Sequence, residues 1–296
     1  MNVDDYQVQA LETIQFDPND KTARSIVMLG LSGEVGGLST EYKKNIRDGE
    51  SYTIFRDKLT EEIGDIIWYI STLASIEGIS LSEILDKNLK KTQGRWKDIQ
   101  EDTQPGFEGE FYDDEFPENE KIPREFVAEF KEVEKDDGKK YASITVNGED
   151  FGDPIRDNYY TDDYYRFHDI FHFSYATILG WSPIARGLMH KKRRSDRSTD
   201  EIEDGGRAKV IDEAISALVF EYARNHNFLD GVKTIDEQLL QTIKSLTRHL
   251  EVGSATLKEW EKAIIIGFDI WRKMRSKKCG RVVCSLLDKT MYFEQI

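Results

Sequence analysis

Across residues 1 to 100, apolar side chains return every three or four positions between short polar breaks, and no stretch alternates in the two-residue period of a strand. A chain patterned this way folds its first third as a small bundle of amphipathic helices. The first helix is expected through Tyr6, Leu11 and Ile14, closing near Asp17-Pro18. The second starts near Lys21 and Thr22, places Val27, Leu31, Val35, Leu38 and Tyr42 on one face, and stops near Asn45 to Gly49. The third runs from Arg56 to Ser75. The fourth opens at Ser80 or Ser82, both good cap residues, and continues through Ile84, Leu85 and Leu89 to Trp96.

From residue 101 to 137 the composition changes: Pro105, Pro117 and Pro123 lie among many acids broken by single aromatics, which predicts an acidic linker that wraps the protein. Tyr141 to Val146 alternates and Asn147-Gly148 is a favoured hairpin turn, so a β-hairpin is expected over Tyr141 to Phe151. Helical patterns at 162–179, 206–225, 234–251 and 256–275 predict a second helical bundle. The expected fold class is all-α: an N-terminal four-helix bundle over 1–100, the acidic linker over 101–137, and a mainly helical C-terminal domain over 138–296, with a small β-hairpin element between the bundles.

The net charge of −15 excludes a broad nucleic-acid surface, which needs clustered Lys and Arg to displace counterions. Small anions remain possible where a metal carries them. The acidic start Met1-Asn2-Val3-Asp4-Asp5 lacks an apolar segment, and the run Ala263 to Phe268 is too short to span a bilayer, so a soluble cytoplasmic protein without membrane contact is expected. Cys279 and Cys284 fit neither a Cys-x-x-Cys redox pair nor a zinc site. The basic run His190 to Arg194 reads as an exposed loop.

Three acids in the first third carry chemistry. Glu34 lies inside the apolar arc of Val27, Leu31 and Leu38, where an ionised carboxylate is costly without a cationic partner. Glu62 and Asp65, three residues apart, project from one face of the third helix. If the second and third helices pack antiparallel, the three acids converge, and a hard divalent cation relieves their repulsion. All-oxygen ligation favours Mg²⁺ or Mn²⁺, which makes phosphate chemistry the natural reaction class.

The segment Leu29-Gly30-Leu31-Ser32-Gly33-Glu34-Val35-Gly36, followed by Lys58-Leu59-Thr60-Glu61-Glu62-Ile63-Gly64-Asp65-Ile66-Ile67-Trp68-Tyr69, resembles the MazG-like nucleotide pyrophosphohydrolases. The resemblance runs from Phe16 to Trp96. It implies Mg²⁺-dependent hydrolysis of nucleoside or deoxynucleoside triphosphates to monophosphate and pyrophosphate, with Glu34, Glu62 and Asp65 as metal ligands and catalytic residues. Gly37 stands where the family carries a fourth acid, so water replaces that ligand, Glu41 one turn further compensates, or catalysis is weakened. The closing segment holds the basic and aromatic residues that serve the nucleotide, here Lys91, Arg95 and Trp96. Lys43, Lys44 and Arg47 follow the second helix and are further candidates for phosphate oxygens, while Phe16, Trp68 and Tyr69 join Trp96 as candidates for base stacking. A homo-oligomer, dimer or tetramer, is implied. The purpose expected is nucleotide clearance or pool depletion, defence against phage included, and the alternative is a nucleotide-sensing module with weak or no turnover.

In the second half, His168 and His172 stand one helical turn apart with Asp169 between them, and Asp212-Glu213 lies on a later helix, a set that suits a second metal site. Arg207 to Tyr222 also compares with the Glu61-Glu62 segment, which reads as a diverged second copy of the first unit.

Overall fold

The computed structural model describes residues 1–96 and 111–296, which divide into two compact units, Met1–Gln93 and Gly94–Ile296. The first is built from α1 (Val3–Glu12), α2 (Ala23–Asp48), α3 (Phe55–Ile76) and most of α4 (Leu81–Trp96), whose last residues, from Gly94 on, belong to the second unit. Local chemistry sets some of the helix ends, and α1 stops at Glu12, short of the expected close near Asp17-Pro18. Asn2 caps α1 by accepting from Asp5 N at 2.7 Å, and Asp5 accepts in return from Asn2 N. Gly49, with φ of 56°, ends α2 in a backbone conformation that a side chain resists. Gln7 then fastens α1 to the α3–α4 turn: its amide donates to Ile79 O at 2.8 Å and to Ser75 Oγ, and its carbonyl accepts from Leu81 N at 2.7 Å.

The second unit is mainly helical, as expected, but its β structure is larger than the expected hairpin. It contains a five-stranded antiparallel sheet in the order β3-β2-β1-β4-β5, made of β1 (Glu125–Glu134), β2 (Lys140–Val146), β3 (Glu149–Asp150), β4 (Cys279–Ser285) and β5 (Thr290–Glu294). The expected hairpin is β2–β3, turning through Asn147 (φ 50°) and Gly148 (φ 87°). The central strand, β1, lies in the stretch predicted as acidic linker. Glu125 and Glu129 lie on its outer face, while Phe126, Ala128 and Phe130 alternate inward and are buried, with Glu132 further along that inner side pairing with Arg166. Phe126 and Phe130 pack on Phe173 at ring-centroid distances of 5.6 and 6.0 Å.

Phe173 belongs to α5 (Asp169–Leu179), whose every residue is buried. Such a helix is buried on every side because it is the centre of its unit, and its polar members, Asp169, His172, Ser174 and Thr177, are buried with the rest. α10 (Leu257–Lys277) crosses it at Gly267, where an added β-carbon would lie 3.0 Å from Ser174 Oγ and 3.2 Å from Phe171 Cδ1. Around this pair stand α6 (Pro183–Leu188), α7 (Arg197–Ile202), α8 (Gly206–Arg224) and α9 (Glu237–Thr247). Phe171, Phe220, Phe268 and Trp271 fill the space between them, each burial contributing about 1.5–3 kcal/mol.

The basic run is not an exposed loop throughout. Arg193 is buried, donating to Asp204 Oδ1 at 2.7 Å and to Glu251 at 2.8 Å, because an arginine fork deprived of water needs carboxylates to replace it. Arg166 is held in the same way by Asp157 at 2.6 Å, Glu132 at 2.7 Å, and Asp162.

Candidate active site

Contacts between α2 and α3 run in opposite order along the two helices: Arg24 meets Glu77, Gly30 meets Tyr69, and Gly37 meets Glu62. The pair is therefore an antiparallel hairpin, and its register sets Glu34 level with Asp65. Two glycines of α2 serve as seats for α3. A β-carbon on Gly30 would stand 2.3 Å from the Tyr69 ring, and one on Gly37 would stand 2.1 Å from Glu62 Oε2. Glu62 thus lies flat on α2, and its Oε2 is buried without a hydrogen-bond partner. Glu34 is half-buried, and its carboxyl is raised above the usual range by lost hydration and then by the charges of Asp65 and Glu62. Asp65 is exposed. Glu34 thus feels the charges of both Asp65 and Glu62, and the Glu62 Oε2 beside it is buried without a hydrogen-bond partner.

The other expected site residues are placed differently from one another. Glu41 is buried and already committed, accepting from Lys44 Nζ at 2.6 Å and from the Tyr52 hydroxyl, which hold its carboxyl below the usual range. Lys44 is thereby occupied too, and Arg47 is paired with Asp48 at 2.6 Å. Lys43 and Lys91 are exposed. Arg95, expected beside the nucleotide, is only 3% exposed; its guanidinium donates to Glu261 Oε2 at 2.7 Å and to Ile235 O at 2.6 Å, because a buried cation needs that pairing. The side chain of Trp96 lies outside the described residues. Phe16 is half-buried, as are Trp68 and Tyr69, whose rings meet edge-on at 4.8 Å; Trp68 Nε1 donates to Thr13 Oγ1 at 2.7 Å. Tyr52 escaped the sequence reading, since a tyrosine in a loop carries no periodic signal.

Residues 24–100 match the MazG nucleotide pyrophosphohydrolase domain, and residues 108–296 match the MazG C-terminal domain. The chain belongs to the MazG family. It is also similar to the "Gene 37 protein" of Mycobacterium phage L5, with 36% identity over 101 residues, covering 32% of this chain and 89% of that protein. No solved structure matches. Membership of the MazG family implies nucleotide pyrophosphohydrolase activity, hence a nucleotide substrate, in a family that is typically metal-dependent. Among the described residues no helix is long and apolar enough to cross a membrane.

The MazG C-terminal domain carries its own cluster of titratable groups. Among the described residues, the group of three whose ligand atoms all lie within 4.8 Å of one another is His168, Asp169 and His172, at the start of α5; the N-terminal acids are spaced more loosely. His172 Nδ1 lies 2.8 Å from Asp212 Oδ1, and its Nε2 lies 3.2 Å from Glu213 Oε2. Burial lowers the His172 imidazole's proton affinity, but Asp212 and Glu213 outweigh it and push the group up to about 10. Burial raises Asp169. The sequence-predicted residues of this cluster are thus brought together, with Tyr165 and Ser182 added from a turn and a cap that periodicity does not reveal. The sheet has no counterpart in the first unit, so likeness to a second copy rests on the α8 segment alone.

Proposed function

We propose that this MazG protein hydrolyses nucleoside or deoxynucleoside triphosphates to monophosphate and pyrophosphate in a Mg²⁺-dependent reaction, with Glu34, Glu62 and Asp65 holding the ion. The observation that carries this reading is the buried, unpartnered Oε2 of Glu62 beside two further acids. A carboxylate oxygen cut off from water costs several kcal/mol, on the order of that for other buried charges, unless a cation completes it. Oxygen donors alone suit a hard ion, Mg²⁺ or Mn²⁺. When bound, the ion supplies neutralisation of charge on the phosphates and on the departing pyrophosphate. The chain supplies position: Gly37 lets Glu62 lie close, the α2–α3 hairpin fixes Glu34 against Asp65, and the exposed Lys43 and Lys91 draw phosphate oxygens to the rim.

A homo-oligomer belongs to the same reading. Met28, Val35 and Tyr42 recur every seventh residue along α2 and are each about half exposed, as are Ile63, Ile67 and Ile70 on α3. A cytoplasmic role in nucleotide clearance or pool depletion, in defence against phage among other settings, follows from such chemistry.

The deciding assay incubates the full chain with Mg²⁺ and a panel of ribo- and deoxyribonucleoside triphosphates, then separates the products. Equal amounts of monophosphate and pyrophosphate are expected. A second reading, a nucleotide sensor without turnover, is favoured by Gly37, which leaves three acids instead of four. Tight nucleotide binding by the folded protein with every triphosphate left intact selects that reading.

A further inference from the structure

We propose that the C-terminal unit holds a divalent transition-metal ion between His168 Nε2, His172 Nε2 and the carboxylate of Asp169, with Glu213 closing the site from α8. The sites differ in chemistry: the N-terminal acids offer only oxygen, whereas this cluster offers two imidazoles, which suit Zn²⁺ and its first-row neighbours over Mg²⁺.

The hydrogen bonds fix which atoms face the centre. His168 Nδ1 lies 2.9 Å from Tyr165 O, a carbonyl that only accepts, so Nδ1 carries the proton and Nε2 the lone pair. His172 Nδ1 faces Asp212 Oδ1 at 2.8 Å. Asp212 is an acceptor on its other oxygen as well, taking the Ser182 hydroxyl at 2.6 Å and Ile184 N at 3.1 Å. It therefore assigns the proton to His172 Nδ1 and leaves Nε2 inward. Both imidazoles are anchored through Nδ1 by an acceptor behind them, the arrangement that orients metal-ligating histidines.

What they face is more acceptors. Glu213 Oε1 lies 3.5 Å from His168 Nε2, and Oε2 lies 3.2 Å from His172 Nε2. Asp169, 2% exposed, adds an Oδ2 that is buried without a hydrogen-bond partner. Without an ion, a proton on His172 and the Tyr165 hydroxyl on Glu213 Oε1 satisfy part of this set, while Asp169 Oδ2 stays unpartnered; a cation that displaces the His172 Nε2 proton gathers both rings and both carboxylates. Ligands bonded at 2.0–2.1 Å around a tetrahedral ion stand about 3.3 Å apart; Glu213 meets the two rings at 3.5 and 3.2 Å, and the ligand atoms of His168, Asp169 and His172 lie within 4.8 Å of one another, so binding draws these three inward. Glu213 is the one member with an open side, its side chain being 44% exposed, so exchange with solvent or a ligand occurs there.

The test uses the full chain in the Glu62→Ala, Asp65→Ala background, stripped by chelator and titrated with Co²⁺, whose visible absorption reports nitrogen and oxygen coordination. One equivalent is expected to bind with visible bands and to be displaced by Zn²⁺. His168→Ala is expected to weaken binding about 100-fold or more, and Glu213→Gln, at a half-exposed position that tolerates change, to shift the bands with the fold intact. Absence of any Co²⁺ band in the parent, or binding unmoved by Glu213→Gln and by a folded His168→Ala protein, overturns the proposal and leaves the cluster a metal-free network. Because the N-terminal acids are removed throughout, the outcome is independent of the pyrophosphohydrolase reading.

Discussion

The carboxylate of Glu62 occupies the space that a side chain at Gly37 would need: a β-carbon there would lie 2.1 Å from Oε2 and 2.8 Å from Cδ. The glycine is not required by backbone geometry, since it sits inside α2. Its use is to let α3 bring an acid flat against the neighbouring helix. The place where the family carries a fourth carboxylate has become a seat for one of the remaining three.

Gly37→Ala separates stability from chemistry. Alanine is favoured over glycine within a helix by about 1 kcal/mol, and the clashing atoms belong to the far end of a flexible side chain, so the fold is retained. Glu62 must swing away. The variant is expected to melt at or above the parent temperature while its triphosphate turnover falls and its Mg²⁺ requirement rises. Unchanged turnover at unchanged Mg²⁺ would mean that the seat is irrelevant.

Glu62→Ala combined with Asp65→Ala is expected to abolish turnover while circular dichroism retains the helical signal, because removing acids that repel one another does not weaken the bundle. Glu41→Gln provides the contrast. Its carboxylate is already bound to Lys44 and Tyr52, so turnover is expected to stay near that of the parent. A collapse of activity in Glu41→Gln would instead return Glu41 to the ligand set.

The helices of the first unit were legible from their apolar stripes and from stops such as Gly49 at the end of α2, although α1 ends at Glu12, earlier than its stripe suggested. The two acids of α3 were legible by spacing. The fate of Arg95 was not, because nothing near it in sequence announces Glu261, 166 residues away. The sheet was hidden for a related reason. β1 reads Glu125-Phe-Val-Ala-Glu-Phe-Lys-Glu, and its acids drew attention as linker composition although Phe126, Ala128 and Phe130 keep a strand's period. Its partner β4 begins at Cys279, 154 residues after β1 begins at Glu125, so the pairing leaves no local trace.

Arg95→Ala discriminates between a nucleotide ligand and a buried ion pair. Removing one partner of a buried pair leaves an uncompensated charge on Glu261 and costs about 3–5 kcal/mol. The urea midpoint of the second unit is expected to fall accordingly, and Glu261→Gln to fall with it. A stability equal to the parent, with weakened nucleotide binding, would assign Arg95 to the substrate.

The Asp157–Asp162 pair beside Arg166 gives stability a pH dependence of predictable sign. Burial, then the neighbouring Asp162, pushes Asp157 up to about 6, whereas Asp157 and Arg166 hold Asp162 down at about 2. Between pH of about 4 and 6 the folded pair keeps a proton that the unfolded chain has released, so this pair's contribution to stability declines as pH rises through that window. Asp162→Asn removes the neighbouring carboxyl and with it part of the shift, the part due to burial remaining. Measured by urea denaturation, the variant is expected to gain on the parent from pH 4 to about 6 and to hold a constant difference above it. A difference independent of pH would exclude the shared proton.

The apolar stripes of the first unit make the last prediction. The α3 residues Ile63 and Ile70 recur at helical spacing, yet they are 42% and 40% exposed, and Ile67 between them is 44% exposed. On α2, Leu29 and Ile46 stand 74% and 80% exposed. Four helices of one chain do not cover these faces, and a stable interface needs about 800 Å² from each partner, which two long helices can supply. A second copy of the hairpin presents the same stripes in a self-complementary way, as two-fold pairing requires. Light scattering is therefore expected to give a whole-number multiple of 34.3 kDa for the parent. Ile63→Glu with Ile67→Glu places two charges where the copies meet and is expected to yield the single chain, with helical content preserved. A parent that already runs as one chain at high concentration would show that the stripes serve another purpose.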